Sequence, residues 1–150
     1  MQTFLPYPSF GQSAKSLDYK RLGKQRVESK QILIALGCTV GEHEGNPTSR
    51  WRNHPAVKMW RGHEFFLVDY SLAICAEWAN RGYRDTLHSQ FHQLLVNLGR
   101  LREFWTPPSW LGEASLHASH RSNLLRKLPD HYSKFGWTEP DDLEYVWPVS

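Results

Sequence analysis

Asp18, Arg21, Gln25 and Glu28 are the residues of this chain whose types and spacing first suggest chemistry. At 100° per residue they continue, through the central turns of the stretch Gly11–Gly37, the stripe that Ala14, Leu17, Ile32, Ala35 and Leu36 occupy at its two ends, with Leu22 at its edge. Carboxylates and guanidinium groups on a core-facing stripe must be paired, so these residues form either an internal ion-pair network or the floor of a site. A second carboxylate, Glu64, falls with Ser71 inside the apolar stripe of a later helical stretch, where it is placed to meet Arg21. Polar groups from two helices would then converge on one place.

Other common chemistries lack their residues. The chain has no Cys-x-x-Cys pair, no Gly-Lys-Ser/Thr phosphate loop, no Gly-x-Gly-x-x-Gly and no Gly-x-Ser-x-Gly elbow, which argues against nucleotide-cofactor enzymes and against that class of serine hydrolase. His117 and His120, with His131 or Glu113 near them, do not make a compact zinc-ligand set, so no metal and no cofactor are expected. Cys38 and Cys75 read as reduced thiols.

Four helical stretches must position these groups. The first runs from Gln12 or Ser13 to the stop at Gly37, and Gly23 in its middle leaves bare backbone beside Asp18, Arg21 and Lys24, open either to a neighbouring helix or to another chain. The second opens at Asn53-His54-Pro55 and extends to Arg81 or Gly82 on the stripe Val57, Trp60, Val68, Cys75 and Trp78. The third spans Leu87–Phe104 and the fourth about Glu113–Lys127. Met1–Phe10, with Pro6 and Pro8 among three rings, reads as an extended segment pinned to the body. The expected architecture is an all-α bundle of about four main helices forming one domain, residues 1–150, with an acidic, aromatic tail over 137–150.

Charge is unevenly distributed along the chain. All 18 Lys and Arg occur by Lys134, while four of the 15 Asp and Glu follow it, so residues 1–135 carry +7 of a formal total of +3. A basic body favours a polyanion, most simply nucleic acid. On the fourth helix His117, His120, Arg121, Asn123, Arg126 and Lys127 give a basic, hydrogen-bonding surface, and His131, Tyr132, Lys134, Phe135 and Trp137 alternate rings with cations, a pattern suited to phosphate contacts and base stacking. No apolar run is long enough for a membrane span and the start lacks a secretory pattern, so a cytoplasmic protein without membrane contact is expected; a monomer is expected as well.

Three blocks carry a family resemblance: Leu17–Arg26, His54 to Tyr83, and Glu113-Ala114-Ser115 through Tyr132, Phe135 and Gly136. In these blocks the sequence resembles the pyrimidine-dimer DNA glycosylases, small all-α enzymes with abasic-site lyase activity, and more closely resembles a branch of them with segments of the type of Leu17–Gln25, His54–Trp60 and Ser119–Lys127. The resemblance implies that an amino-terminal amine attacks the sugar C1′ while a first-helix glutamate supports the cationic sugar. The sequence departs from the pattern twice. Gln2 is too large for routine methionine removal, so the amine falls to Met1 and not to a threonine. At or near Arg21, where the family glutamate aligns, no acid stands, which leaves Asp18 or Glu28. Ten residues separate them, roughly 15 Å along a helix, too far to touch one carbon together. Lys24 or Lys20 is the alternative amine.

Contacts to nucleic acid are also expected of Arg21, Arg26, Asn53, His54 and Lys58. The expected function is a DNA glycosylase, with or without lyase activity, that excises a damaged or modified pyrimidine from double-stranded DNA. A non-catalytic DNA-binding or damage-recognition protein is the alternative, and an enzyme of RNA or nucleosides a third.

Overall fold

The computed structural model describes residues 1–149. Helices α1 (Phe10–Ser16), α2 (Tyr19–Ala35), α3 (Pro55–Lys58), α4 (Glu64–Asn80), α5 (His88–Gly99), α6 (Ala114–Lys127) and α7 (Pro129–Tyr132) are joined by loops and two short 3-10 turns, and no β-strand occurs among the described residues. The chain is all-α, with α2, α4, α5 and α6 as its four main helices. None of these helices is long and apolar enough to cross a membrane.

Helix ends account for the departures from the sequence reading. The first stretch is two helices, because Leu17 and Asp18 are extended and the Asp18 carboxylate takes the Arg21 amide (3.4 Å) as the N-cap of α2. An aspartate competes for backbone amides and so favours a cap over a helix interior. Ser9, not Gln12 or Ser13, caps α1, and Gly37 ends α2 at φ 97°. The second stretch also divides, at Gly62 with φ 85°, and His54 rather than Asn53 is its cap, its Nδ1 accepting the Ala56 amide at 3.0 Å. Gly23 lies under Trp78 of α4, where an added Cβ would sit 3.0 Å from the indole, so its bare backbone serves helix packing.

The core forms where α2 and α4 meet: Leu22, Ile32 and Leu33 pack with Leu67, Val68 and Ile74, and Phe91 of α5 joins them, all fully buried. Cys38 and Cys75 are free thiols, whose burial raises them to about 11 and about 12.

The extended segment Gln2–Pro6 is buried too, without any sheet partner. Its backbone groups therefore need side-chain partners. Gln25 accepts the Phe4 amide (3.0 Å) and donates to the Gln2 carbonyl (2.9 Å), and the Tyr70 hydroxyl shares its one proton between the Gln25 oxygen (2.6 Å) and the Phe4 carbonyl (2.9 Å). On consecutive turns of α6, His120 Nδ1 accepts the Leu5 amide (2.8 Å), and His117, whose Nε2 accepts the Gly112 amide, donates from Nδ1 to the Leu5 carbonyl (2.8 Å). Arg121 donates to the Pro6 carbonyl (2.7 Å).

The two imidazoles make this clamp acid-sensitive. Burial, with His117 beside it, holds His120 down at about 3. The unfolded chain therefore binds the proton first, and stability present above pH 6.5 falls as pH drops from 6.5 toward 3, by about 1.4 kcal/mol per pH unit for such a group. Urea unfolding of the wild type should steepen in that window, and His120→Gln should remove most of the slope.

Candidate active site

One end of the bundle carries a half-open cavity of about 430 Å³ lined by Met1, Gln2, Phe4, Lys20, Arg21, Lys24, Gln25, Glu28, Lys127 and Tyr145. Its parts come from the amino-terminal segment, the first three turns of α2, the end of α6 and the carboxy-terminal tail. Glu28 takes a 3.0 Å hydrogen bond from Gln25, whose own oxygen accepts both the Phe4 amide and the Tyr70 hydroxyl (2.6 Å). One buried amide thus fixes the start of the chain and the site's carboxylate together.

The charges around the cavity act on one another. His54 is lowered by burial and by the Met1 ammonium, with the Glu28 carboxylate acting against them. Because His54 Nδ1 already accepts a backbone amide, the neutral ring carries its proton on Nε2. Tyr70 is raised by burial and by Glu28, and Tyr145 is raised to about 12, chiefly by burial. Lys127 is lowered by burial and by its cationic neighbours Arg21, Arg126 and Lys24. An amine, a carboxylate and four cations around one opening can receive a phosphate-bearing ligand and stabilise positive charge developing within it.

Of the residues expected in catalysis, Met1, Lys24 and Glu28 line this cavity and Asp18 does not. Asp18 is 5% exposed, and its carboxylate is engaged by the Tyr132 hydroxyl (2.5 Å) and the Arg21 guanidinium (3.2 Å). Burial works against its ionisation, but those donors outweigh burial and its pKa is lowered. It is the start of α2 and the anchor of α7. Glu64 does not meet Arg21; it accepts the Gly62 amide (3.2 Å) and lies near Cys38. The polar group that α4 brings to α2 is Tyr70.

The expected basic surface is largely turned inward. His117, His120, Asn123 and Tyr132 are at most 2% exposed and hold backbone or Asp18, so none of them is available to DNA in this structure. Arg26 pairs with Asp85 (2.7 Å) and lies over Trp78, while Arg121 is bound to Glu139 and Pro6. Arg126 reaches the Asp141 carbonyl (2.9 Å) and Asn123. The rings after Pro129 stack among themselves, Tyr132 and Phe135 on Trp137, whose indole donates to the Tyr7 hydroxyl (2.9 Å). Arg21 and Lys127 line the cavity, and Lys134 and Asn53 are exposed away from its lining. Lys58 is half-buried at the end of α3. Gln25 stood in the polar stripe without a role, and Tyr145 carried no signal beyond being a ring in the tail.

A family model described as pyrimidine dimer DNA glycosylase matches residues 1–91, which include the amino-terminal segment, all of α2 and α4. The chain belongs to this family. No curated protein and no solved structure matches the chain. At the level of the family, membership supports a glycosylase acting on DNA. In this member of the pyrimidine dimer DNA glycosylases, Met1, Gln25 and Glu28 lie within the matched residues, whereas Lys127 and Tyr145 lie beyond them.

Replacing Gln25 by leucine keeps the volume but strands the Phe4 amide and the Gln2 carbonyl, and leaves the Tyr70 hydroxyl only the Phe4 carbonyl. A buried group left without its partner costs about 1–3 kcal/mol. Gln25→Leu should lower the urea midpoint by an amount equivalent to about 3 kcal/mol, and should loosen the amino terminus, read as faster hydrogen exchange at the Phe4 and Leu5 amides.

Proposed function

We propose that the protein is a DNA glycosylase with abasic-site lyase activity that uses the Met1 amine as nucleophile and Glu28 as its carboxylate. The observation that carries this reading is that Met1 and Glu28 line one cavity, although 27 positions separate them in sequence. The neutral amine attacks C1′ of the target nucleotide as the N-glycosidic bond breaks, the base leaves with the bonding electrons and takes up a proton from water, and the attached amine gives a proton to O4′ as the C1′–O4′ bond opens to an iminium. Glu28 stabilises the cationic sugar and the iminium that follows, and then accepts the C2′ proton whose removal expels the 3′ phosphate. Gln25 positions Glu28, and Asp18 acts indirectly by starting α2 where it does.

Lys20, Arg21, Lys24 and Lys127 are the groups this reading assigns to the phosphates, and it takes the polymer to be duplex DNA from which a nucleotide is displaced. Lys20 and Lys24 line the same cavity, so they are the competing amines.

Reduction with borohydride on an abasic-site duplex, followed by peptide mass spectrometry, tests the assignment. The adduct should map to Met1, and extending the chain by Gly-Ser ahead of Met1 should abolish it. An adduct on Lys24 would transfer the role of nucleophile. Absence of both an adduct and base release would return the protein to non-catalytic DNA recognition. Glu28→Gln should lower base release on the order of 10²- to 10⁴-fold while duplex affinity stays within about threefold, measured by single-turnover kinetics and anisotropy.

A further inference from the structure

Between Glu44 and Glu64 every formally charged side chain is basic: Arg50, Arg52, Lys58 and Arg61. Arg50 and Arg52 flank Trp51 in the loop that leads to α3. Of the seven tryptophans, all among the described residues, only Trp51 is exposed, at 40%. One exposed ring is ordinary on a protein surface, but this ring is held out by a loop that spends polar groups on its own backbone. The Trp51 amide donates to the Ser49 hydroxyl (3.2 Å), and the Arg52 guanidinium donates to the Thr48 and Ser49 carbonyls (3.2 and 3.1 Å). Arg61 donates to the Arg52 carbonyl (2.9 Å), and the His54 amide donates to the Trp51 carbonyl (2.9 Å).

Arg52 and Arg61 are therefore occupied in shaping the loop. Arg50 is exposed and its guanidinium lies over the Trp51 ring, 5.1 Å from the ring centre. The loop is continuous with the active-site end of the bundle: Trp51 meets the His54 ring edge-on at 6.1 Å, and His54 is close enough to the cavity to feel both the Met1 ammonium and the Glu28 carboxylate. An indole with a cation on it, beside a cavity ringed by Lys20, Arg21, Lys24 and Lys127, fits nucleic acid better than an apolar protein surface. The cations attract phosphate, and the flat ring stacks on a base of any sequence.

Extruding a nucleotide into a cavity breaks its stacking on both neighbours and leaves a gap in the duplex. An apolar side chain that enters the gap regains part of that loss, and keeps the nucleotide from returning. We propose that loop 49–53 is a wedge: Trp51 enters the duplex where the target nucleotide leaves it, and Arg50 takes a phosphate beside the gap. This rests on the glycosylase reading above, which supplies the extrusion that the wedge assists. The loop's own hydrogen bonds set Trp51 in place before DNA arrives, which lowers the entropy lost on binding.

The test uses full-length protein in the Glu28→Gln background, so that base release does not intrude on the binding measurement, and two DNAs that carry the same cyclobutane thymine dimer. In one the dimer is fully paired; in the other it lies in a bubble of unpaired bases, where there is little stacking left to replace. Trp51→Ala should raise the Kd for the paired dimer on the order of tenfold, the size of a lost base-ring stack, and that for the bubble by no more than about twofold. Trp51→Phe should keep most of the affinity for the paired dimer. Arg50→Ala should lower the slope of log Kd against log salt by about one phosphate contact. The wedge is overturned if Trp51→Ala weakens both DNAs alike or neither, the latter being the result for a ring that serves a protein partner, and an unchanged salt slope in Arg50→Ala overturns the phosphate contact. Wild-type chemistry reports separately: neither base release nor a borohydride adduct removes the glycosylase reading even where the Kd ratio depends on Trp51, whereas base release with a Trp51-independent ratio keeps that reading and removes the wedge.

Discussion

A buried extended segment with no neighbouring strand must find its hydrogen bonds among side chains, and that requirement shapes this protein. Residues 2–6 lie in the core without a sheet, so Gln25, Tyr70, His117, His120 and Arg121 are spent on their backbone groups. An unpartnered buried amide or carbonyl costs more than a typical hydrogen bond gains, so the set is effectively all or none. Its consequence is positional: the first residue of the chain is brought to the cavity that Glu28 lines, instead of being left to fray as chain ends commonly do.

Gln25 joins this constraint to the chemistry. Its oxygen serves the Phe4 amide and the Tyr70 hydroxyl while its nitrogen serves Gln2 and Glu28, so every hydrogen-bonding direction of one amide is occupied. A site whose carboxylate is oriented by the same group that holds the proposed nucleophile's segment is set before substrate binds, which is where electrostatic stabilisation is most effective. The fixed tail adds a second prearranged element, because α6 holds the start of the chain with one set of side chains and the end with another.

The distribution of charge follows from the same packing. A net charge of +7 over residues 1–135 suggests a broad cationic surface. In the fold, Arg26 and Arg121 are neutralised by Asp85 and Glu139, and the histidines of α6 are buried and neutral, so the cations at the cavity are Lys20, Arg21, Lys24 and Lys127. Concentrating them around one opening focuses attraction for a phosphate chain there rather than spreading it over the face of α6.

The all-α class, the four main helices, the pinned amino terminus and the family were legible in the sequence, because apolar periodicity, glycine stops and motif blocks are local properties that survive without knowledge of neighbours. The polar break in the first stripe was legible as well, as a place where something must be paired. Which carboxylate belonged to the site was not: Asp18 and Glu28 look alike on a straight helix, and only the interruption of the helix at Leu17–Asp18 turns Asp18 into a cap bound by Tyr132, 114 positions away. Likewise His117, His120 and Tyr132 have the composition of a nucleic-acid surface, and their commitment to Leu5 and Asp18 arises from contacts more than a hundred positions apart. Residue type and spacing determined what elements form and what chemistry is available to them. Tertiary structure alone decided which polar groups are consumed by buried backbone and which remain at the cavity, because hydrogen-bond capacity is finite and its allocation depends on contacts that sequence distance does not reveal.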